Sequence, residues 1–128
     1  MEKKYLNPQA LTSIFGNIPV FEGAELVDIQ LKRDGPILFM TLMTKEEVKT
    51  KPKRWDHWDV VYIQLSFLTI RNLDIKGWGN DNIVTQFELS DNMENNYLEI
   101  KGNNGLRINT NFEWVNVEKV TPGLIGLP

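Results

Sequence analysis

Beyond residue 24 the apolar residues of this chain recur with a period of two, and that feature restricts it to β-structure. In residues 25–33, Val27, Ile29 and Leu31 point one way and Asp28, Gln30 and Lys32 the other, as in a half-buried strand. Asp34-Gly35-Pro36 reads as a turn, and residues 37–44 return apolar on both sides, with Leu38, Met40 and Leu42 on one and Ile37, Phe39 and Met43 on the other. A strand of that kind belongs in the middle of a sheet. Val61, Ile63, Leu65 and Phe67 alternate inward in residues 60–67, and Leu73 and Ile75 continue a related strand to a turn at 77–82. Ile83, Thr85, Phe87 and Leu89 make the next strand, 91–96 a polar loop, 97–101 a strand and 102–105 a turn. Leu106, Ile108, Thr110 and Phe112 then run in register, and Val115 and Val117 follow in the opposite phase. The slip places a bulge or a sheet-switching bend near Glu113-Trp114.

One helix precedes this pattern. Asn7 is placed to cap it, Pro8 suits its first position, and Gly16 after Phe15 stops it, while Leu11, Ile14 and Phe15 share a face. Residues 45–59 break the alternation with charge, a proline and two tryptophans, and read as a long excursion between strands. The Gly/Pro-rich tail 122–128 is expected to lie loose or along the surface. The expected fold is mainly β, an antiparallel β-sandwich or half-open barrel of about seven strands with one short N-terminal helix. No linker, repeat or low-complexity tract divides the chain, so residues 1–128 are expected to form a single domain.

The 128 residues are 41% hydrophobic, enough for a core without staples, and there is no cysteine to supply a disulfide, a thiolate ligand or a sulfur nucleophile. The N-terminus lacks the apolar run of a signal peptide and no segment has the length of a membrane span, which gives a cytoplasmic expectation and no membrane partner. The net charge is −3, and from Asp74 onward eight acidic residues stand against four basic ones. That half of the chain disfavours nucleic acid, whose phosphates need a positive field.

Groups poised for catalysis are few. His57 is the only histidine; it sits between Asp56 and Trp58-Asp59, but neighbours in an extended segment point apart and no serine has a nucleophile-elbow context. One histidine cannot anchor a zinc site, and Asp81-Asn82 and Asp91-Asn92 with Glu94 lack the ligand alternation of a calcium loop. Gly77-Trp78-Gly79 lacks the third glycine of a dinucleotide fingerprint. The tryptophans are more informative. Trp55 is as suited to pegging its loop to the core as to binding, whereas Trp58 and Trp78, if exposed, are the type of residue that anchors protein interfaces.

The layout as a whole resembles the immunity protein 50 family of bacterial polymorphic toxin systems. The resemblance rests on Asn7-Pro8-Gln9-Ala10-Leu11 with Ile14-Phe15-Gly16, on Pro19 and Phe21-Glu22-Gly23-Ala24-Glu25-Leu26, and on Arg33-Asp34-Gly35-Pro36. It continues through Pro52-Lys53-Arg54-Trp55, Phe67-Leu68, Leu73-Asp74-Ile75-Lys76-Gly77-Trp78 and Asp81-Asn82-Ile83-Val84, fading after Leu89. It implies a cytoplasmic antidote that neutralises a cognate toxin domain by direct stoichiometric binding, with no cofactor, metal or catalytic residue. The partner-binding residues expected on that reading are Trp58, Trp78, Asp74, Asp81, Asp91 and Glu94, with the acidic half of the chain meeting a basic toxin. The alternative is a small-molecule or carbohydrate-binding β-barrel module, favoured if Trp55 and Trp58 face a closed apolar pocket. A minor enzyme built on His57 is a third reading. An exposed strand could also pair with a second copy, giving a homodimer.

Overall fold

The computed structural model describes residues 4–92 and 95–126. In chain order the elements are β1 (Tyr5–Leu6), α1 (Gln9–Phe15), β2 (Glu25–Lys32), β3 (Ile37–Thr44), β4 (Val60–Leu68), β5 (Arg71–Lys76), β6 (Val84–Asn92), β7 (Asn95–Gly102), β8 (Arg107–Phe112) and β9 (Trp114–Gly123). They form a five-stranded sheet in the order β1-β9-β4-β3-β2 and a four-stranded sheet in the order β5-β8-β7-β6. Every pairing is antiparallel except that of β1 with β9. No barrel closes, and the arrangement is sandwich-like.

The two layers are joined by their own strands. β4 leaves the larger sheet at Leu68 and re-enters the smaller one at Arg71 as β5, while β8 and β9 make the reverse passage through Glu113. Thr69 takes φ 56° at the first crossing, and the Glu113 amide donates to the Leu68 carbonyl at 2.9 Å across both. The phase slip at Glu113-Trp114 is therefore a sheet-switching bend, as the sequence indicates. Leu106 just before β8 and Ile108, Thr110 and Phe112 on it all point inward, as do Val115 and Val117 from β9. Phe67 and Phe112 meet edge to face at 5.2 Å, one from each layer, in the centre of one continuous core.

Four local expectations are corrected. Asn7 does not cap α1: it stands at φ 60° and its amide reaches away to the Val117 carbonyl at 3.0 Å, so the N-cap position falls to Pro8 without a side-chain bond. β2 carries a bulge between Leu26 and Asp28, which makes Leu26 the buried residue and leaves Val27 exposed. The loop expected at 91–96 is largely strand, because β6 runs to Asn92 and β7 starts at Asn95, and the buried Asn96 donates its side-chain amide to the Glu113 carbonyl at 2.8 Å. Pro122 and Gly123 belong to β9, opposite Val61 and Val60, and Leu124, Ile125 and Gly126 beyond them lie exposed. Gly16 does end α1, at φ 87° with its amide on the Thr12 carbonyl.

The excursion 45–59 is irregular, as expected, and is tied down at two points. The amides of Lys49 and Thr50 donate to the Ile14 carbonyl at 2.8 and 3.1 Å, satisfying an open acceptor at the end of α1, and the buried Trp55 pegs the other half. Along the outer edge of β6, the turn 21–24 exchanges bonds with Val84 through Gly23 and Ala24, and the Glu22 carboxylate accepts the Phe87 amide at 2.9 Å. That edge is thus closed to strand pairing along its first half. Among the described residues no helix is long and apolar enough to cross a membrane.

Candidate functional site

The outward face of the four-stranded sheet is built by register. Residues directly opposite one another in an antiparallel pair share a face, so Asp74, Asn109, Glu99 and Glu88 line up in one row across β5, β8, β7 and β6. The adjacent row, one step toward the 77–83 loop, reads Lys76, Arg107, Lys101 and Gln86. A negative row therefore lies beside a positive one. Lys76 touches Asp74 at 3.7 Å, but Glu88 and Glu99 stand opposite each other with no hydrogen bond or ion pair among the described residues. Like charges in that relation oppose folding, so this arrangement is not explained by stability.

Beyond the positive row, Gly77 turns the chain at φ 72° against the backbone of Gly105, where an added Cβ would lie 2.4 Å from the Gly105 oxygen. The loop that follows presents Trp78, 41% exposed, and Asp81, whose carboxylate accepts from Asn103 at 3.3 Å. Asn82 holds this loop in shape. It is buried, its Oδ1 accepts the Gly79 amide at 2.9 Å, and its Nδ2 donates to the Gly79 carbonyl at 2.8 Å and to the Leu26 carbonyl at 3.4 Å.

Of the residues expected to bind a partner, Asp74, Trp78 and Asp81 thus fall on and beside one surface. Asp91 lies at the far end of β6, about 23 Å of strand from Val84, opposite the buried Asn96. Trp58 belongs to the separate 45–59 excursion, half-buried with its ring edge-on to Trp55 at 5.5 Å. Glu94 lies outside the described residues. Glu88, Glu99 and Arg107 complete the surface and are missed by sequence reasoning, because their adjacency exists only in the cross-strand register.

The other constellations yield less. Trp55 is in the core, and Trp58 alone of the two lines the hollow of about 210 Å³ beside Lys45 and Glu47, so the pair does not share an apolar pocket. His57 is 81% exposed and 3.8 Å from Asp56, a solvated imidazole without an orienting hydrogen bond. The exposed Glu47 and Lys49 meet at 2.5 Å; that hydrogen bond and the accompanying charge hold the Glu47 carboxyl below its ordinary range and the Lys49 ammonium above its own. Among the described residues no group of three or more acidic or histidine side chains is placed to hold a metal ion. Where the strands switch sheets, a polar cleft of about 560 Å³ is lined by Lys4, Arg71, Asn95, Asn96, Glu113 and Trp114, with the Lys4 ammonium 4.9 Å above the Trp114 ring.

No curated protein and no solved structure matches the chain. The profile of a family described as Immunity protein 50 matches residues 7–123, from the start of α1 to the end of β9. The match runs well past Leu89, where the visible motifs fade. The chain belongs to the Immunity protein 50 family.

Proposed function

We propose that this protein is a cytoplasmic antidote that neutralises a cognate bacterial toxin domain by binding it one to one, without a cofactor. The family match over residues 7–123 carries this reading. The charge-striped face supports it physically. Opposed rows of fixed charge select a partner and its register more than they add affinity, and the uncompensated Glu88–Glu99 pair fits a surface kept for a partner rather than for stability. On this reading Asp74, Glu88 and Glu99 meet basic side chains of the toxin, Lys76, Lys101 and Arg107 meet acidic ones, and Trp78 with Asp81 forms the rim anchor. Asp91, in phase with Phe87 and Leu89 on the other face of β6, lies outside this striped surface. Trp58 mainly braces its own loop.

The test is co-expression with the open reading frame immediately beside this gene, scored by host growth and co-purification. Rescue of growth with a stable complex supports the proposal. A neighbour that kills in spite of this chain, or one that is harmless, rejects it.

A further inference from the structure

The outward face of the five-stranded sheet is unlike that of the smaller one. β3 is apolar on both faces, the pattern of a strand covered on both sides, yet the fold covers only the face of Leu38, Met40 and Leu42. Ile37, Phe39 and Met43 are only half-buried, beside Tyr62 and Leu68 of β4 and the 39%-exposed Trp114 of β9. Tyr62 is laid over Gly123, where an added Cβ would sit 2.3 Å from its ring.

The register of this face shows what fits it. Cross-strand rows run over β2, β3, β4 and β9, and one of them reads Asp28, Thr41, Gln64, Lys119. A two-fold axis lying between two facing copies, along the strands and midway between β3 and β4, exchanges β2 with β9 and β3 with β4 and keeps every row at its own height. Asp28 of one copy then meets Lys119 of the other, and neither has an ion-pair partner within the chain among the described residues. In the row of Lys32, Ile37, Leu68 and Trp114, Ile37 meets Leu68, while the row's ends are already occupied within each chain, Lys32 lying 5.2 Å from the Phe39 ring and Lys4 4.9 Å from the Trp114 ring. At the opposite end Met43 meets Tyr62. Between them Phe39 comes over Ser66, which is itself fully covered within the chain with its hydroxyl on the Glu118 carboxylate at 2.6 Å, so this position offers shape and no polar contact.

Sheets packed face to face cross at about 30°, which shifts facing residues on β2 and β9, about 7 Å from the axis, by about 4 Å. A lysine side chain spans that offset. Four strands about 4.8 Å apart and about eight residues long cover roughly 500 Å² per copy, the size of a small, reversible interface.

We infer that this face is self-complementary and that the protein forms a two-fold dimer through it, a second copy covering the apolar face of β3. This goes beyond the antidote reading and does not depend on it. The experiment is sedimentation equilibrium of the full chain over a concentration series, with Asp28→Lys, Lys119→Asp and the double exchange, folding being checked by circular dichroism. The expected result is a concentration-dependent monomer–dimer equilibrium for the native chain, weakened roughly tenfold or more by each single reversal and restored by the double exchange. A monomer at all concentrations overturns the inference, as does a double variant no tighter than the singles. If Phe39→Asp abolishes growth rescue while the native chain sediments as a monomer, the face belongs to the toxin and not to a second copy. Dimerisation without any growth rescue retains this inference and rejects the antidote reading.

Discussion

The two outward faces of this sandwich are made by the same strand alternation and have opposite chemistry. The larger sheet turns Ile37, Phe39, Met43 and Tyr62 outward, whereas the smaller turns out Asp74, Glu88 and Glu99 beside Lys76, Lys101 and Arg107. Their inner faces contribute to one core, where Phe67 and Phe112 touch. The inside fixes the fold and leaves every second residue free, and the chain uses that freedom differently on its two sides. The striped face asks for a partner in register along its whole width, whereas the larger-sheet face gains mainly from a dry cover and sets register only through the row ending in Asp28 and Lys119.

The largest expected effect tests the shared interior. Phe67→Ala and Phe112→Ala should each destabilise by about 3–5 kcal/mol in urea unfolding. A much smaller loss from one of them alone would mean that the layers do not depend on a common core. The contrast between the outsides comes next. Trp78→Ala should weaken toxin binding by about 2 kcal/mol, roughly thirtyfold, as read by titration calorimetry, while Phe39→Ser leaves that affinity unchanged. Equal losses from both would erase the distinction between the faces.

A smaller effect concerns how the striped face is held. Asn82→Ala removes the bonds that shape the Trp78 loop and should cost about 1–2 kcal/mol of stability together with part of the toxin affinity. Smaller still, Glu88→Gln should stabilise the free protein by about 0.2–1 kcal/mol while weakening the complex, and a gain in both would show that the opposed carboxylates serve no partner. Away from both faces, the Glu47–Lys49 pair provides a control. Its contribution through Glu47 is present above the ordinary carboxylate range and fades as pH falls through the lowered value; through Lys49 it is present below the ordinary lysine range and fades as pH rises through the raised one. Carboxyl NMR should see Glu47 return to its usual titration in Lys49→Met, with no change in neutralisation.

What the sequence reveals and hides follows from the range of each interaction. β8 and the reversal into β9 are legible because a period of two survives in Leu106, Ile108, Thr110 and Phe112 until Glu113 breaks it. β2 is misread only at its start, where the bulge at Leu26–Asp28 turns Leu26 rather than Val27 inward without changing the composition, while Ile29 and Leu31 keep the phase read from the sequence. β1 has two residues and no period to detect. Asn7 has the composition of a cap, and its left-handed backbone with a bond to a distant strand depends on β9 being in place. For the site, Trp78 and Asp81 can be singled out locally, but the pairing of Glu88 with Glu99, or the row joining Asp28 to Lys119, exists only after the strands have chosen their register.

The position of β9 has a consequence for the order in which this molecule can be made. It lies between β1 and β4, so the strand that completes the larger sheet is the last of those described here to leave the ribosome. Until it arrives, Tyr5 and Leu6 have no strand to pair with and β4 presents an open edge. Closing so distant a pairing carries a loop-entropy cost before any contact rewards it, which places the chain among the slow, millisecond-to-second folders. The larger sheet, and with it the pairing of β1, can therefore be completed only once residues 114–123 have emerged.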